Sequence, residues 1–137
     1  MTLNKKAFLG LDDARRMAAA AEAQARLNGW AVTIAIVDDG GHLLWLQRHD
    51  GAPPISAKLA PAKARMAVLG RRDSRINEEL INGPRPAFLS APGLEGMLEG
   101  GVAAMVDGQC VGAVGASGVK PGEDAHTARA GIAALQD

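Results

Sequence analysis

Along residues 11–28, "LDDARRMAAAAEAQARLN", apolar side chains return at intervals of three and four: Ala14, Met17, Ala18, Ala21 and Ala25. That period predicts a helix with a slim apolar stripe, capped by Asp12 or Asp13 and stopped by Gly29. The pattern then changes. "WAVTIAIVD" (30–38) is continuous and β-branched, as a strand covered on both faces should be. "DGG" turns the chain, and "HLLWLQRH" (42–49) returns as the second arm of an antiparallel hairpin that helices or a partner subunit should cover.

Leu59, Ala62, Met66 and Leu69 form another stripe at helical spacing and predict a helix over about 57–70. Pro61 has no N–H to give residue 57, so the regular helix starts near Leu59 or Ala60, or is kinked if it starts at Ser56. A short helix is expected over 74–81, and "INGPRPAFLSAPG" (81–93) reads as a shaped loop. In "GVAAMVDGQCVGAVGASG" (101–118), Asp107-Gly108 marks a hairpin between two apolar strands. Gly112, Gly115 and Gly118 are out of step with strand alternation, so they leave room for the close approach of something else. The chain turns at Pro121-Gly122 and enters a last helix over about 123–135, with Glu123 and Asp124 in its first turn. This order predicts the α+β class, with one antiparallel sheet flanked by helices.

The 137 residues suit a single domain, 1–137. Much of the 47% hydrophobic content is alanine, and Trp30, Trp45, Phe8 and Phe88 are the only aromatics. Small side chains bury little area each, so the expectation is a homo-oligomer. Fifteen basic and fifteen acidic residues cancel, leaving no basic footprint for nucleic acid, and "GRRDSR" (70–75) reads as a solvated face. Cys110 is the single cysteine and excludes an internal disulfide. No stretch has signal or membrane length, so the expected location is cytoplasmic, with no membrane partner.

Chemistry concentrates at "LQRHDGAPPISAK" (46–58). Arg48 and His49 would point to opposite faces of an extended strand, so Arg48, His49 and Asp50 share a pocket only if the strand has already ended. His49 reads as a proton carrier, a metal or haem ligand, or a polar side chain at a strand end. Ser56 reads as a helix cap or a ligand contact, and free N–H groups at that helix start would suit an anion. Lys58, Ala62 and Arg65 form a row whose cations could hold a carboxylate. "GASGVKPGEDAH" offers a second anion cradle with Ser117 and Lys120, although it fits neither the P-loop nor the dinucleotide fingerprint. His42, His49 and His126 lack zinc spacing; Glu123 and His126 could share a helix face.

Three segments together carry a resemblance: "IAIVDDGGHLLWLQRHDGAPPISAKLAPAKARMA", "LSAPGLEGMLEGGVAAMVDGQCVGAVGASG" and "EDAHTARAG". From about residue 8 to 135 the chain resembles the GlcG/HbpS-like haem-binding family. Asp38, Gly40 and Gly41 match its hairpin turn, and Asp50, Gly51 and Ala52 its "DGA" corner. Ser56, Lys63, Ala64 and Arg65 match "S…KAR"; Gly100, Gly101, Asp107, Gly108, Gly112, Gly115, Ser117 and Gly118 match the glycine-rich segment, and Asp124 the acidic start of the last helix. The chain departs from the pattern at His49, where the family most often has Met, at Met66, where Thr is usual, and at Pro61.

The resemblance implies a profilin-like antiparallel sheet of about five strands flanked by helices, assembled as dimers to octamers. It implies three functions. In the first, the protein binds haem or a related carboxylate-bearing molecule; His49, although a departure from the family pattern, would then ligate the iron, with cations from Arg48, Lys58 or Arg65 on the carboxylates and Ser56 and Ser117 as further contacts. The second is a cofactor-free lyase or isomerase acting on a small aromatic or hydroxy acid, in which His49 and Asp50 move protons. The third is an accessory role in corrinoid or glycolate metabolism.

Overall fold

The computed structural model describes residues 1–136, and its helices and strands follow in the expected order. α1 (Leu11–Leu27) leads into β1 (Thr33–Asp38) and β2 (Leu43–Arg48), followed by α2 (Ser56–Gly70) and α3 (Ser74–Ile81). A 3-10 turn at Pro86–Ser90 precedes β3 (Gly101–Val106), β4 (Gln109–Ser117) and α4 (Pro121–Ala133). The sheet is antiparallel, with four strands in the order β2-β1-β4-β3. It is one strand short of the profilin-like expectation; beyond the end of β1, Leu9 donates its N–H to Val111 of β4 at 3.0 Å. Among the described residues no helix is long and apolar enough to cross a membrane.

Helices cover both faces. α1 and α4 lie on one, where Met17, Ala21, Ile34, Ile36, Val114 and Ala128 belong to one buried cluster. α2 lies on the other, where Ala64, Ala67 and Val68 meet Val37 and Ala113. The α1 stripe is buried as predicted, at Ala14, Met17, Ala18, Ala21 and Ala25. Its cap is Gly10 rather than Asp12 or Asp13; the Gly10 N–H donates to the Asp13 carboxylate at 2.9 Å, which holds that carboxyl below its ordinary value. α4 begins at Pro121, two residues earlier than expected, because proline at a first helical position lacks only an N–H that would be unpaired anyway.

The α2 stripe requires correction. Of Leu59, Ala62, Met66 and Leu69 only Met66 is buried: Leu69 is exposed, and the helix also buries Ala60, Lys63, Ala64, Ala67 and Val68. The sheet dictates this choice. Gly101 and Gly115 are cross-strand partners beneath α2. A Cβ on Gly101 would overlap the Lys63 carbonyl, and one on Gly115 the Ala60 carbonyl. The helix backbone therefore rests on bare strand backbone, leaving no depth for leucine. α2 runs from Ser56 with Pro61 inside it, giving up the bond to Ala57. The close approach anticipated along β4 is thus real at Gly115. Gly118, at φ 141, likewise lies against the Ala31 carbonyl.

Burying Lys63 places a cation between layers. Its Nζ donates to the Ala116 carbonyl and to Asp124 Oδ2, each at 3.1 Å, and both side chains are almost sealed from solvent. Asp124 Oδ1 accepts from the Val119 N–H at 3.1 Å. The pair ties α2 to the start of α4. Burial pushes the Asp124 carboxyl above its ordinary value despite the opposing pull of the Lys63 charge.

Both hairpins follow local rules. Asp107 and Gly108 both have positive φ (50° and 77°), as a two-residue mirror-type turn requires. At the other, Asp38 Oδ1 accepts from the Gly40 and His42 N–H groups at 2.9 Å. Burial alone would raise the Asp38 carboxyl, but those donors and the His42 ring outweigh it and hold it low.

Candidate functional site

The end of β2 forms one wall of a recess of about 670 Å³. Glu22 and Arg26 come from α1, Gly29, Trp30 and Ala31 from the connection to β1, and Gln47, Arg48, His49 and Asp50 from the strand end. Arg48, His49 and Asp50 do line a common space, because β2 stops at Arg48. His49 leaves the strand with its N–H donated to the Val32 carbonyl at 3.0 Å. The lining includes two acids, Glu22 and Asp50, and two arginines, Arg26 and Arg48, so it has no net charge when His49 is neutral. Glu22 is bound to Arg26 at 3.1 Å and lies 3.7 Å from His49 Nε2.

A polar relay runs along one face of β2. Trp45 Nε1 donates to Gln47 Oε1, and Gln47 Nε2 meets His49 Nε2, each at 2.8 Å. Their cross-strand partners Ile36 and Ile34 are fully buried under α1 and α4, which fixes the face. Alternation sends Leu46 toward the α2 side, whereas Arg48, the last residue of β2, lines the recess from the strand end.

The other sequence candidates do not join this recess. Ser56, the first residue of α2, is fully buried, donates to the Pro53 carbonyl at 2.5 Å and lies 2.7 Å from Thr33 Oγ1. Since its proton goes to Pro53, Thr33 must donate to Ser56. The serine is neither the helix cap, which is Ile55, nor part of the His49 recess; it fastens the corner to β1. The anion cradle expected at this helix start is closed as well. The N–H groups of Ser56, Ala57 and Lys58 go to the carbonyls of Pro53, Pro54 and Ile55.

Lys58 and Arg65 lie on the exposed side of α2, where Arg65 reaches the hairpin at Gly41. Ser117 is buried at the end of β4, in register with Thr33. The second cradle is filled by the protein's own carboxylates: Val119 N–H goes to Asp124 and Lys120 N–H to Glu123. His126 pairs with Gln24 at 2.9 Å and presents its ring edgewise to Trp30, so Glu123 and His126 do not act as a pair. Among the described residues no three His, Cys, Asp or Glu side chains converge on a metal position.

Glu22, Arg26, Trp30 and Gln47 were not singled out in the sequence. On α1 the i, i+4 pair Glu22 and Arg26 looks like any solvated helix face, and only the placement of β2 beside it makes a wall. The Trp45, Gln47, His49 alternation was the one available signal, since residues two apart on a strand share a face.

The family model described as haem degrading protein HbpS-like matches residues 9–133. This chain belongs to the HbpS-like family. Protein GlcG of Escherichia coli K12 is 48% identical over 115 residues, 84% of this chain and 85% of its own. A double mutant of Streptomyces reticuli HbpS superposes with a TM-score of 0.86 at 33% identity, covering 97% of this chain and 90% of that one. PduOC, solved as a haem complex, gives a TM-score of 0.83 at 28% identity, covering 93% and 94%. The α+β architecture of this HbpS-like protein is therefore that of its family.

Proposed function

We propose that this HbpS-like protein binds haem or a related planar, carboxylate-bearing molecule in the recess at the end of β2. One arrangement carries the reading: a cavity of small-molecule size whose lining includes Trp30 and the two arginines Arg26 and Arg48. The haem complex of the similar PduOC supports the ligand class. Arginine suits a carboxylate because its fork donates two parallel bonds. Among the described residues no carboxylate pairs with Arg48, whereas Arg26 is shared with Glu22.

The residues fit the acidic periphery of such a ligand better than a metal at its centre. Iron needs a free imidazole lone pair, and His49 Nε2 already faces Gln47 at hydrogen-bond distance. Haem, when bound, would supply a redox-active iron; the side chains named here supply binding and orientation.

Titration with hemin and with iron-free protoporphyrin IX tests the reading. Both should bind with similar affinity, and Arg48→Ala should weaken both about fivefold or more, the loss of ~1 kcal/mol expected for a partly exposed charge-assisted contact. Absence of saturable binding, or an unchanged affinity in the Arg26→Ala/Arg48→Ala double variant, would remove it.

Self-association belongs to the same proposal. Leu43 and Leu46 are 51% and 45% exposed on the edge strand whose end forms the recess. Light scattering after size exclusion should give an oligomer that Leu46→Asp shifts toward monomer. A monomeric parent at micromolar concentration would withdraw this part.

A further inference from the structure

The relay on β2 fixes more than the position of His49. An indole nitrogen only donates, so the Trp45 contact at 2.8 Å requires an acceptor on Gln47 and sets the amide with Oε1 toward Trp45. The amide nitrogen then faces His49 Nε2 at 2.8 Å, and it too only donates. His49 Nε2 must be the acceptor, leaving the ring proton on Nδ1. His126 shows the contrast: among the described residues its partner Gln24 makes no second side-chain bond that would fix the amide, so its tautomer stays undetermined by the geometry.

Nδ1 is not engaged by the protein. It makes no hydrogen bond among the described residues, and the one buried side-chain polar atom there without a partner is Asn77 Nδ2. His49 thus keeps an N–H donor without a partner among the described residues and its lone pair occupied. Glu22, 3.7 Å from Nε2, favours the opposite state, in which Nε2 carries a proton. That state would set two donors against each other unless Gln47 turned and gave up Trp45. The cross-strand neighbours Ile34 and Ile36 are dry, which makes an unpaired indole N–H costly.

We infer that Gln47 is the specificity-determining residue of the recess: by holding His49 as the Nδ1–H tautomer it presents a donor to an oxygen acceptor of the ligand and denies Nε2 to iron. The inference deepens the binding reading above and rests on it for the ligand, whereas the tautomer stands by itself. The ligand class it selects is one with a carboxylate, phenolate or carbonyl oxygen near the imidazole. A central metal adds nothing to affinity.

Two measurements test it. Two-bond proton–nitrogen NMR of the ligand-free protein should show His49 with Nδ1 protonated and Nε2 bare. Gln47→Leu should release the ring to a mixture, and Gln47→Glu, which still accepts from Trp45 but offers an acceptor to His49, should move the proton to Nε2. Folding of each variant is read from the same spectra. Separately, the Soret band of hemin added to the parent should not change with His49→Ala, whereas Gln47→Leu should gain an imidazole-ligated band that His49→Ala removes.

An Nε2–H tautomer in the parent, or a parent Soret band that His49→Ala shifts, overturns the inference. If no porphyrin binds at all, the binding reading fails while the NMR result still decides the tautomer.

Discussion

Lys63→Met lowers the stability of the protein by about 3–5 kcal/mol, because it leaves the Asp124 carboxylate in a layer that water does not reach. Against a total of roughly 5–15 kcal/mol for a domain of this kind, that is a large share. Replacing both partners, as Lys63→Met/Asp124→Leu, should cost less than the single change, since apolar pairs of similar volume are tolerated where half a pair is not. Urea denaturation of the parent, both single variants and the double variant gives the coupling. A Lys63→Met loss below about 1 kcal/mol would mean the pair is hydrated.

The pH dependence has a definite sign. The Asp124 carboxyl lies above its ordinary value of 3.8, chiefly through burial, so the folded state holds that proton more tightly than the unfolded chain. Its contribution favours the fold fully below the ordinary value and is lost as pH rises through the raised one. Without Lys63 the carboxyl rises further. The Lys63→Met variant should therefore lose stability toward neutral pH more steeply than the parent, and Lys63→Met/Asp124→Asn should lack that extra slope.

Gly115→Ala has the second large effect. The added Cβ meets the Ala60 carbonyl together with the Ala64 nitrogen and Cβ, all part of the α2 core rather than flexible side-chain ends. Either α2 lifts or the sheet bends, at a cost of about 3 kcal/mol or more and a melting temperature lower by roughly 10 °C. Gly122→Ala supplies the contrast. A Cβ there meets nothing within 4 Å in the first turn of α4, so the change should be neutral or stabilising by up to ~1 kcal/mol. Calorimetry of the two variants checks both numbers. Equal melting temperatures would show that α2 does not sit on strand backbone.

What was legible in the chain is what a short window encodes. The α1 stripe, the covered β1 run and the Asp107-Gly108 turn depend on dihedral preference and periodicity over fewer than twenty residues, and each lies where the pattern put it. The family resemblance also marked Lys63, Gly101, Gly115 and Asp124, but as isolated positions; nothing in their spacing said that they touch.

Tertiary structure decided the rest. Which face of α2 turns inward depended on the absence of Cβ atoms on two strands that lie thirty to sixty residues later, so the leucine stripe misled. The anion cradles at two helix starts vanished once nearby carbonyls and carboxylates took the N–H groups, a matter of loop path rather than composition. The recess itself exists because the edge strand ends beside α1, bringing Glu22 within 3.7 Å of a residue twenty-seven positions away. Periodicity assigns a side chain to a face; only packing determines what that face meets.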